Sequence, residues 1–222
     1  MNLKEKLLQI LQAHSEKKFR IFSQKLITQP EILGVRTPTL KRVAKQLAQE
    51  VSLDEIRLFE PVFHEEFAIK AFLIIDIKDD ESKFALASEF VKTMPNWAIC
   101  DQFDAIKFKD GRFVNLLLSQ CLSSNLEYEK RFFYVYYMRN LEAFELSNFF
   151  EICLKEKDDR YYVKMAMAWA LAEIFIKFKE PVLNLLESKR LDKFVQNKTI
   201  SKIRDSFRVE KSVKDELVKF RI

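Results

Sequence analysis

The sequence predicts an all-α fold, an α-solenoid of antiparallel helix pairs, on three observations. First, only two glycines, Gly34 and Gly111, occur in 222 residues, far below the ~7% of an average protein; a sheet protein with many tight turns can hardly be built this way. Second, apolar residues recur at helical spacing in segment after segment, with short connections between them. Third, Trp97, Arg131 and Lys164 stand 34 and 33 residues apart, each near the start of an apolar helix followed by an amphipathic one, the period of stacked helix pairs. No Gly/Ser-rich linker divides the chain, so residues 1–222 read as a single domain. Stacked helix pairs curve, and equivalent positions of successive repeats then line a concave face. Trp97, Asp101, Arg131, Lys164 and Trp169 are the residues expected to meet there.

The elements follow in order. Leu3 to His14 is an amphipathic helix that Met1 and Asn2 lead straight into, with no signal peptide. Ser15 to about Ile27 is a second, with Phe19, Ile21, Phe22 and Leu26 inward, broken at Gln29-Pro30. Gly34 allows a special backbone angle, Thr37 can cap, and Pro38 suits the first helical position of the next helix. Ser52 and Glu55 form a capping-box pattern. Glu65 to Lys78 is apolar nearly all round and must be sandwiched between neighbours. Phe84 to Met94 follows, ended by Pro95. Asn96 is a good N-cap for the helix carrying Trp97, Asp101 and Asp104 on one face. Helices over Phe113–Leu122, Leu126–Leu141 (capped by Asn125), Leu146–Lys155, Asp159–Phe178, Pro181–Leu186, Leu191–Phe207 and Val209–Phe220 complete the chain.

Composition removes whole classes of function. Two distant glycines cannot form a phosphate-cradling loop. His14 and His64 are the only histidines; both sit in polar, helix-like surroundings and read as solvated side chains, so a His-ligated metal site or a Ser-His-Asp triad is not expected. Cys100, Cys121 and Cys153 lack CxxC spacing and read as buried, reduced thiols of a cytoplasmic protein. No apolar run approaches 18 residues, so no membrane span is expected. With 38 basic and 33 acidic residues the net charge is +5, which permits nucleic-acid binding without demanding it.

Chemistry-bearing residues cluster in a few places. Trp97 and Asp101, one turn apart, are an odd pair to aim at a core; a groove holding something cationic and flat accommodates both, while core packing of Trp97 with the aspartates at the helix edge is the plain alternative. Arg36, Thr37, Lys41 and Arg42 load cations onto a helix N-terminus that prefers anions, as a phosphate contact would explain, or as a solvated basic face would. Arg131 opens a greasy helix and wants a carboxylate or phosphate partner. Lys198 and Lys202 form a second basic stretch, either phosphate-binding or simply surface.

In this order, Gly34-Val35-Arg36-Thr37-Pro38, Asn96-Trp97 with Asp101, Arg131, and Ala166-Met167-Ala168-Trp169-Ala170-Leu171 resemble the DNA alkylation repair glycosylases of the AlkD type, over about residues 1 to 207. The resemblance implies a right-handed solenoid of HEAT-like antiparallel helix pairs with a concave basic face. It implies that Trp97, Asp101, Arg131 and Trp169 line the cleft at the lesion, and that the base is not enclosed in a pocket. Three positions depart from members of that family: Arg36 stands in place of a glutamine, Met165 in place of a lysine (with Lys164 beside it), and Ala172 in place of a basic residue.

The expected activity is excision of cationic alkylated purines, such as 7-methylguanine and 3-methyladenine, from double-stranded DNA by a monomer without cofactor or metal. Asp101 is expected to stabilise an oxocarbenium-like sugar, Trp97 and Trp169 to pack on the deoxyribose, and Arg131 to hold a phosphate. Arg36, Thr37, Lys41, Arg42, Lys164, Lys198 and Lys202 are the expected DNA contacts. A non-catalytic DNA-binding or protein-interaction solenoid is the alternative, since the same helical stack serves both.

Overall fold

A computed structural model describes residues 3–141 and 145–222; Met1 and Asn2, expected to lead into the first helix, lie outside the described residues. Among those residues there are fourteen α-helices and no strand, as the scarcity of glycine requires. The helices are α1 (Leu3–Ala13), α2 (Lys17–Gln24), α3 (Thr37–Leu47), α4 (Leu53–Leu58), α5 (His64–Asp76), α6 (Asp80–Phe90), α7 (Trp97–Phe103), α8 (Gly111–Ser123), α9 (Glu127–Arg139), α10 (Leu146–Lys155), α11 (Tyr161–Lys177), α12 (Lys179–Glu187), α13 (Lys193–Asp205) and α14 (Lys211–Glu216). Short polar side chains start many of them, because the first N–H groups of a helix have no partner within it. Ser52 and Glu55 close a capping box on α4. Asp79, Asp110 and Asp192 accept from Ser82, Arg112 and Val195 N–H at 2.8, 2.9 and 3.1 Å. At α3 the sequence expectation shifts by one: Arg36 is the N-cap, without a side-chain cap bond, and Thr37 is the first helical residue.

The chain clusters into two compact units, Met1–Glu129 and Lys130–Ile222. In the first, α3, α5 and α7 pack in succession and α6 packs on α8, so alternate helices form layers, the arrangement expected of stacked pairs. The centre is α5, whose Ala68, Ile69, Ala71, Leu73 and Ile74 are almost wholly inaccessible. Its first turn carries the main polar anchor. Glu65, 1% exposed, accepts from the backbone N–H of Leu33 at 2.9 Å, Gly34 at 2.7 Å and Val35 at 3.1 Å. That clamp holds a segment with no ladder partner of its own, satisfying donors that burial would otherwise orphan. Gly34 is required there: its φ is +95°, and a Cβ would stand 2.7 Å from Arg20 Cβ and 2.8 Å from Glu16 O.

Three expectations are corrected in this unit. The second helix ends at Gln24 rather than near Ile27, and none of its residues is fully buried. Ile21, Phe22 and Leu26, expected inward, are 50%, 59% and 53% exposed. The reason is competition for the same space: Ile27, Ile32, Leu33 and Val35 of the following segment are all buried. His64, expected as a solvated side chain, is 8% exposed, because it opens the helix that is apolar on every side; His14 is exposed as expected.

Burial holds the His64 imidazole below its ordinary value, opposed by the Glu65 carboxylate. The unfolded chain therefore takes up the proton at higher pH than the folded one. Stability from this group is complete above about pH 6.5 and declines as pH falls below it. The expected result is a urea midpoint lower at pH 5.5 than at pH 7.5, with the difference reduced in His64→Gln.

In the second unit, aromatic residues fill the core where α9 meets α10. Phe132, Phe133, Tyr134, Tyr136 and Tyr137 are buried, and Tyr137 stacks on Phe149 with centroids 4.0 Å apart. Their hydroxyls find partners, as buried phenols must: Tyr134 donates to Glu156 at 2.8 Å and Tyr137 to the Glu145 carbonyl at 2.7 Å. Helix α11 packs on α12 and α13. The C-terminal segment folds back on α13, where Gln196 Nε2 donates to the Phe220 carbonyl at 2.8 Å and Asn197 exchanges bonds of 2.6 and 3.1 Å with Ile222. Cys100, Cys121 and Cys153 are buried free thiols. No helix among the described residues is long and apolar enough to cross a membrane.

Candidate active site

In the first unit the site begins with Asn96, 4% exposed. Its Oδ1 accepts from Ala98 and Ile99 N–H at 3.0 and 3.1 Å, starting α7. Its Nδ2 donates to the Gln29 carbonyl at 3.0 Å and approaches His64 Nδ1 at 3.3 Å. One amide thus sets both the start of α7 and its position against the loop before α3. Trp97 follows, half-buried, its indole N–H donating to the Leu26 carbonyl at 3.4 Å.

One turn on, Asp101 lines a cleft of 420 Å³ with Thr37, Lys41 and Lys45 of α3, Phe72 and Asp76 of α5, and Gln102 and Asp104 beside it. Three carboxylates and two ammonium groups belong to residues that line this space, and α3 borders it from its first residue, Thr37, to Lys45. The positive end of that helix and the lysines partly balance the carboxylates. Lys41 Nζ also lies 5.6 Å from the Phe72 ring centre. The cleft therefore carries one more carboxylate than ammonium groups, beside the apolar Phe72 and Ile75.

The structure brings Asp101, Thr37 and Lys41 to one cleft, a grouping that the sequence does not suggest; its spacing sets Asp101 with Trp97, Arg131, Lys164 and Trp169. Arg36 and Arg42 turn elsewhere. The Arg36 guanidinium binds Glu16 through two bonds of 2.8 and 2.9 Å and stacks on Phe19 at 4.7 Å; that hydrogen-bonded pairing lowers the Glu16 pKa. Arg42 Nη2 lies 3.3 Å from His14 Nε2. Trp97 does not line the Asp101 cleft.

In the second unit Arg131 is 5% exposed and donates to the Tyr162 carbonyl at 3.0 Å, so the guanidinium is seated against the first turn of α11. Its neighbour Lys130 is fixed by Glu156 at 3.4 Å and Asp158 at 3.6 Å. The Arg160 guanidinium holds the Asp158 carboxyl down at about 2.

Trp169, half-buried on α11, has the Arg139 guanidinium 5.6 Å and the Lys202 ammonium 5.8 Å from its ring, within cation–π range. It lines a 410 Å³ cleft with Glu173, Lys202, Phe207 and Arg208. Burial, then the neighbouring charges of Lys198 and Arg131, lower the Lys202 pKa, opposed by the Asp205 and Glu173 carboxylates.

Lys198 borders a separate 500 Å³ cleft with Asp192, Phe194 and Ser201. Lys164 is engaged by Asp159 at 2.6 Å and Asp192 at 3.1 Å, and these hydrogen bonds raise its pKa.

These features, a carboxylate-walled cleft and an indole flanked by cations, are set in an all-helical chain whose residues 5–203 match the family model described as DNA alkylation repair enzyme. The chain belongs to the DNA alkylation repair enzyme family. The matched span holds every residue that carried the resemblance, from Gly34 to Leu171. No curated protein matches the chain.

Three side chains of this family member escaped assignment from sequence. Asp76 and Asp104 share the Asp101 cleft, and Arg139 flanks Trp169. Asp104 had a usable signal, its place on the Trp97–Asp101 face. Arg139 had a weaker one, lying two turns beyond Arg131 on α9, and Asp76 had none, since its neighbour in space comes from another helix.

Proposed function

We propose that this DNA alkylation repair enzyme is a monofunctional glycosylase, hydrolysing the N-glycosidic bond of cationic alkylated purines such as 7-methylguanine and 3-methyladenine in double-stranded DNA. The observation that carries the reading is the placement of Asp101 in a cleft whose carboxylates outnumber its cations. A purine methylated at N7 or N3 is already positively charged, so it leaves without being protonated. As the bond from C1′ to N9 stretches, its electron pair moves to the purine and neutralises it. Positive charge then builds on the sugar.

Asp101 opposes that charge and orients a water. The water oxygen bonds to C1′, and its surplus proton passes through the carboxylate to solvent. Trp97, on the same helix as Asp101 but outside its cleft, is assigned to the DNA backbone of the first unit, and Trp169 to that of the second, each offering a ring face that favours positive charge. Thr37, Lys41, Lys198 and Lys202 are the DNA contacts, and Arg131, expected from sequence to hold a phosphate but buried on the Tyr162 carbonyl, adds its positive charge near Lys202 instead. The tight pairings of Arg36 and Lys164 give these two a positioning part, in which they brace α2 against α3 and α11 against α13. No lysine is assigned as a nucleophile, so the reaction leaves an abasic site and an intact strand. It needs no cofactor, and the protein works as a monomer.

The test is incubation with duplex DNA containing 7-methylguanine, with released base separated and quantified. Free base and an unbroken strand are expected. Duplex binding without release from either 7-methylguanine or 3-methyladenine DNA would reassign the protein as a non-catalytic DNA-binding scaffold.

A further inference from the structure

Phe207 is the most exposed large apolar side chain among the described residues, with its whole ring in solvent. It lies beyond the span that the family model matches. Its backbone is nevertheless held on both sides. Ser206 closes α13 through its N–H to the Ile203 carbonyl at 3.2 Å, and its hydroxyl accepts from Arg208 N–H at 3.2 Å. The Arg208 guanidinium is tied to Glu173 of α11 at 2.7 Å. A phenyl ring on a fixed turn forgoes the burial that such a ring normally gains.

Its surroundings say what would cover it. Phe207 lines the same 410 Å³ cleft as Trp169, Lys202, Arg208, Glu173 and Asp205. Arg208 occupies Glu173, and Arg139 and Lys202, which both approach that indole, outnumber the remaining Asp205. An occupant matching this cleft has flat apolar faces and anionic groups a few ångströms to their side. Nucleic acid has that chemistry, since every base offers a π-face and every nucleotide a phosphate.

We propose that Phe207 is a stacking finger for DNA, its ring occupying the place of a lost stacking neighbour at an interrupted base step while Lys202 and Arg139 hold the adjoining phosphates. Apolar side chains act in this way where proteins part or replace stacked bases. The inference rests on the DNA-binding reading above but does not need base excision to occur. It gives the turn after α13 a part in recognising the damaged position rather than in the chemistry.

The experiment compares two duplexes of one sequence, one intact and one carrying a single tetrahydrofuran abasic analogue, by fluorescence anisotropy. Wild type is expected to prefer the interrupted duplex. Phe207→Ala is expected to lose about tenfold of that preference, the order that base–aromatic stacking contributes, and Phe207→Trp to keep it. The ring makes no buried contact, so the thermal midpoints of all three proteins should coincide. A preference unchanged within twofold in Phe207→Ala, or absent in wild type, overturns the proposal. Concentration-dependent self-association lost in Phe207→Ala, with the DNA preference unchanged, would assign the ring to contact between copies instead and equally overturns it.

Base release from 7-methylguanine DNA, measured alongside, separates the two readings. Release with an unaltered preference in Phe207→Ala removes the finger and leaves the glycosylase. A lost preference without release by wild type removes the glycosylase and leaves the finger.

Discussion

Asp101→Asn is expected to slow single-turnover release of 7-methylguanine by roughly 10²–10³-fold while duplex affinity stays within about twofold. The substitution keeps the shape of the side chain and its hydrogen-bonding capacity on α7. It removes only the charge. If the carboxylate acts on the cation that forms at the sugar, the loss appears in the rate constant and not in binding. Asp104→Asn supplies the internal comparison, because Asp104 faces the same cleft. Its expected effect is below about tenfold, since only Asp101 is assigned to the sugar, and a charge not in contact with the cation acts weakly through a partly hydrated space. Equal losses from both substitutions would mean that the cleft acts through its summed charge, and an Asp101→Asn protein with the wild-type rate would end the assignment of this residue.

Glu65→Ala is expected to lower folding stability by at least about 3 kcal/mol, read as a shift of the urea midpoint at constant slope. Three buried backbone N–H groups, at Leu33, Gly34 and Val35, share this one carboxylate, and each left without an acceptor costs on the order of 1–3 kcal/mol. That is a large part of the ~5–15 kcal/mol that holds a typical domain together. Glu65→Gln should fall between the two. Its remaining carbonyl oxygen can serve Gly34 and Val35, both of which bond to one oxygen in the native clamp, while its amide would present donors to the Leu33 N–H. Gly34 needs the same clamp for its left-handed conformation, so local damage should spread to α2, which packs directly on it.

The helices were legible in the sequence because apolar spacing and capping residues act locally. Asn96 and the Ser52–Glu55 pair start their helices as read, and Leu146–Lys155 is found at both expected ends. What misled was competition between segments. The apolar pattern of α2 is real, but Ile27, Ile32 and Val35 occupy the core instead of Ile21 and Phe22. His64 looks solvated in isolation, and Glu65 marks only a helix start; the burial of α5 on all sides turns the first into a buried base and the second into a clamp.

The candidate site divides in the same way. Residues on one helix, such as Asp101 and Asp104, can be grouped by spacing; Lys41 stands out because a cation sits badly near a helix start, and Thr37 as a cap beside Pro38. Arg139 beside Trp169, and the capture of Arg36 and Lys164 by carboxylates, depend on partners far away in the chain. No single-helix pattern records them.

Those captured side chains bear on how tightly the protein should grip a duplex as salt is varied. A cation displaces condensed potassium from DNA only if its charge reaches the phosphates, and Arg36 and Lys164 are already spoken for by Glu16, Asp159 and Asp192. The affinity should therefore decay with added potassium chloride along a gentler logarithmic slope than a simple tally of lysines and arginines would give. Severing the Glu16 tether would free one more counterion-releasing group and steepen it.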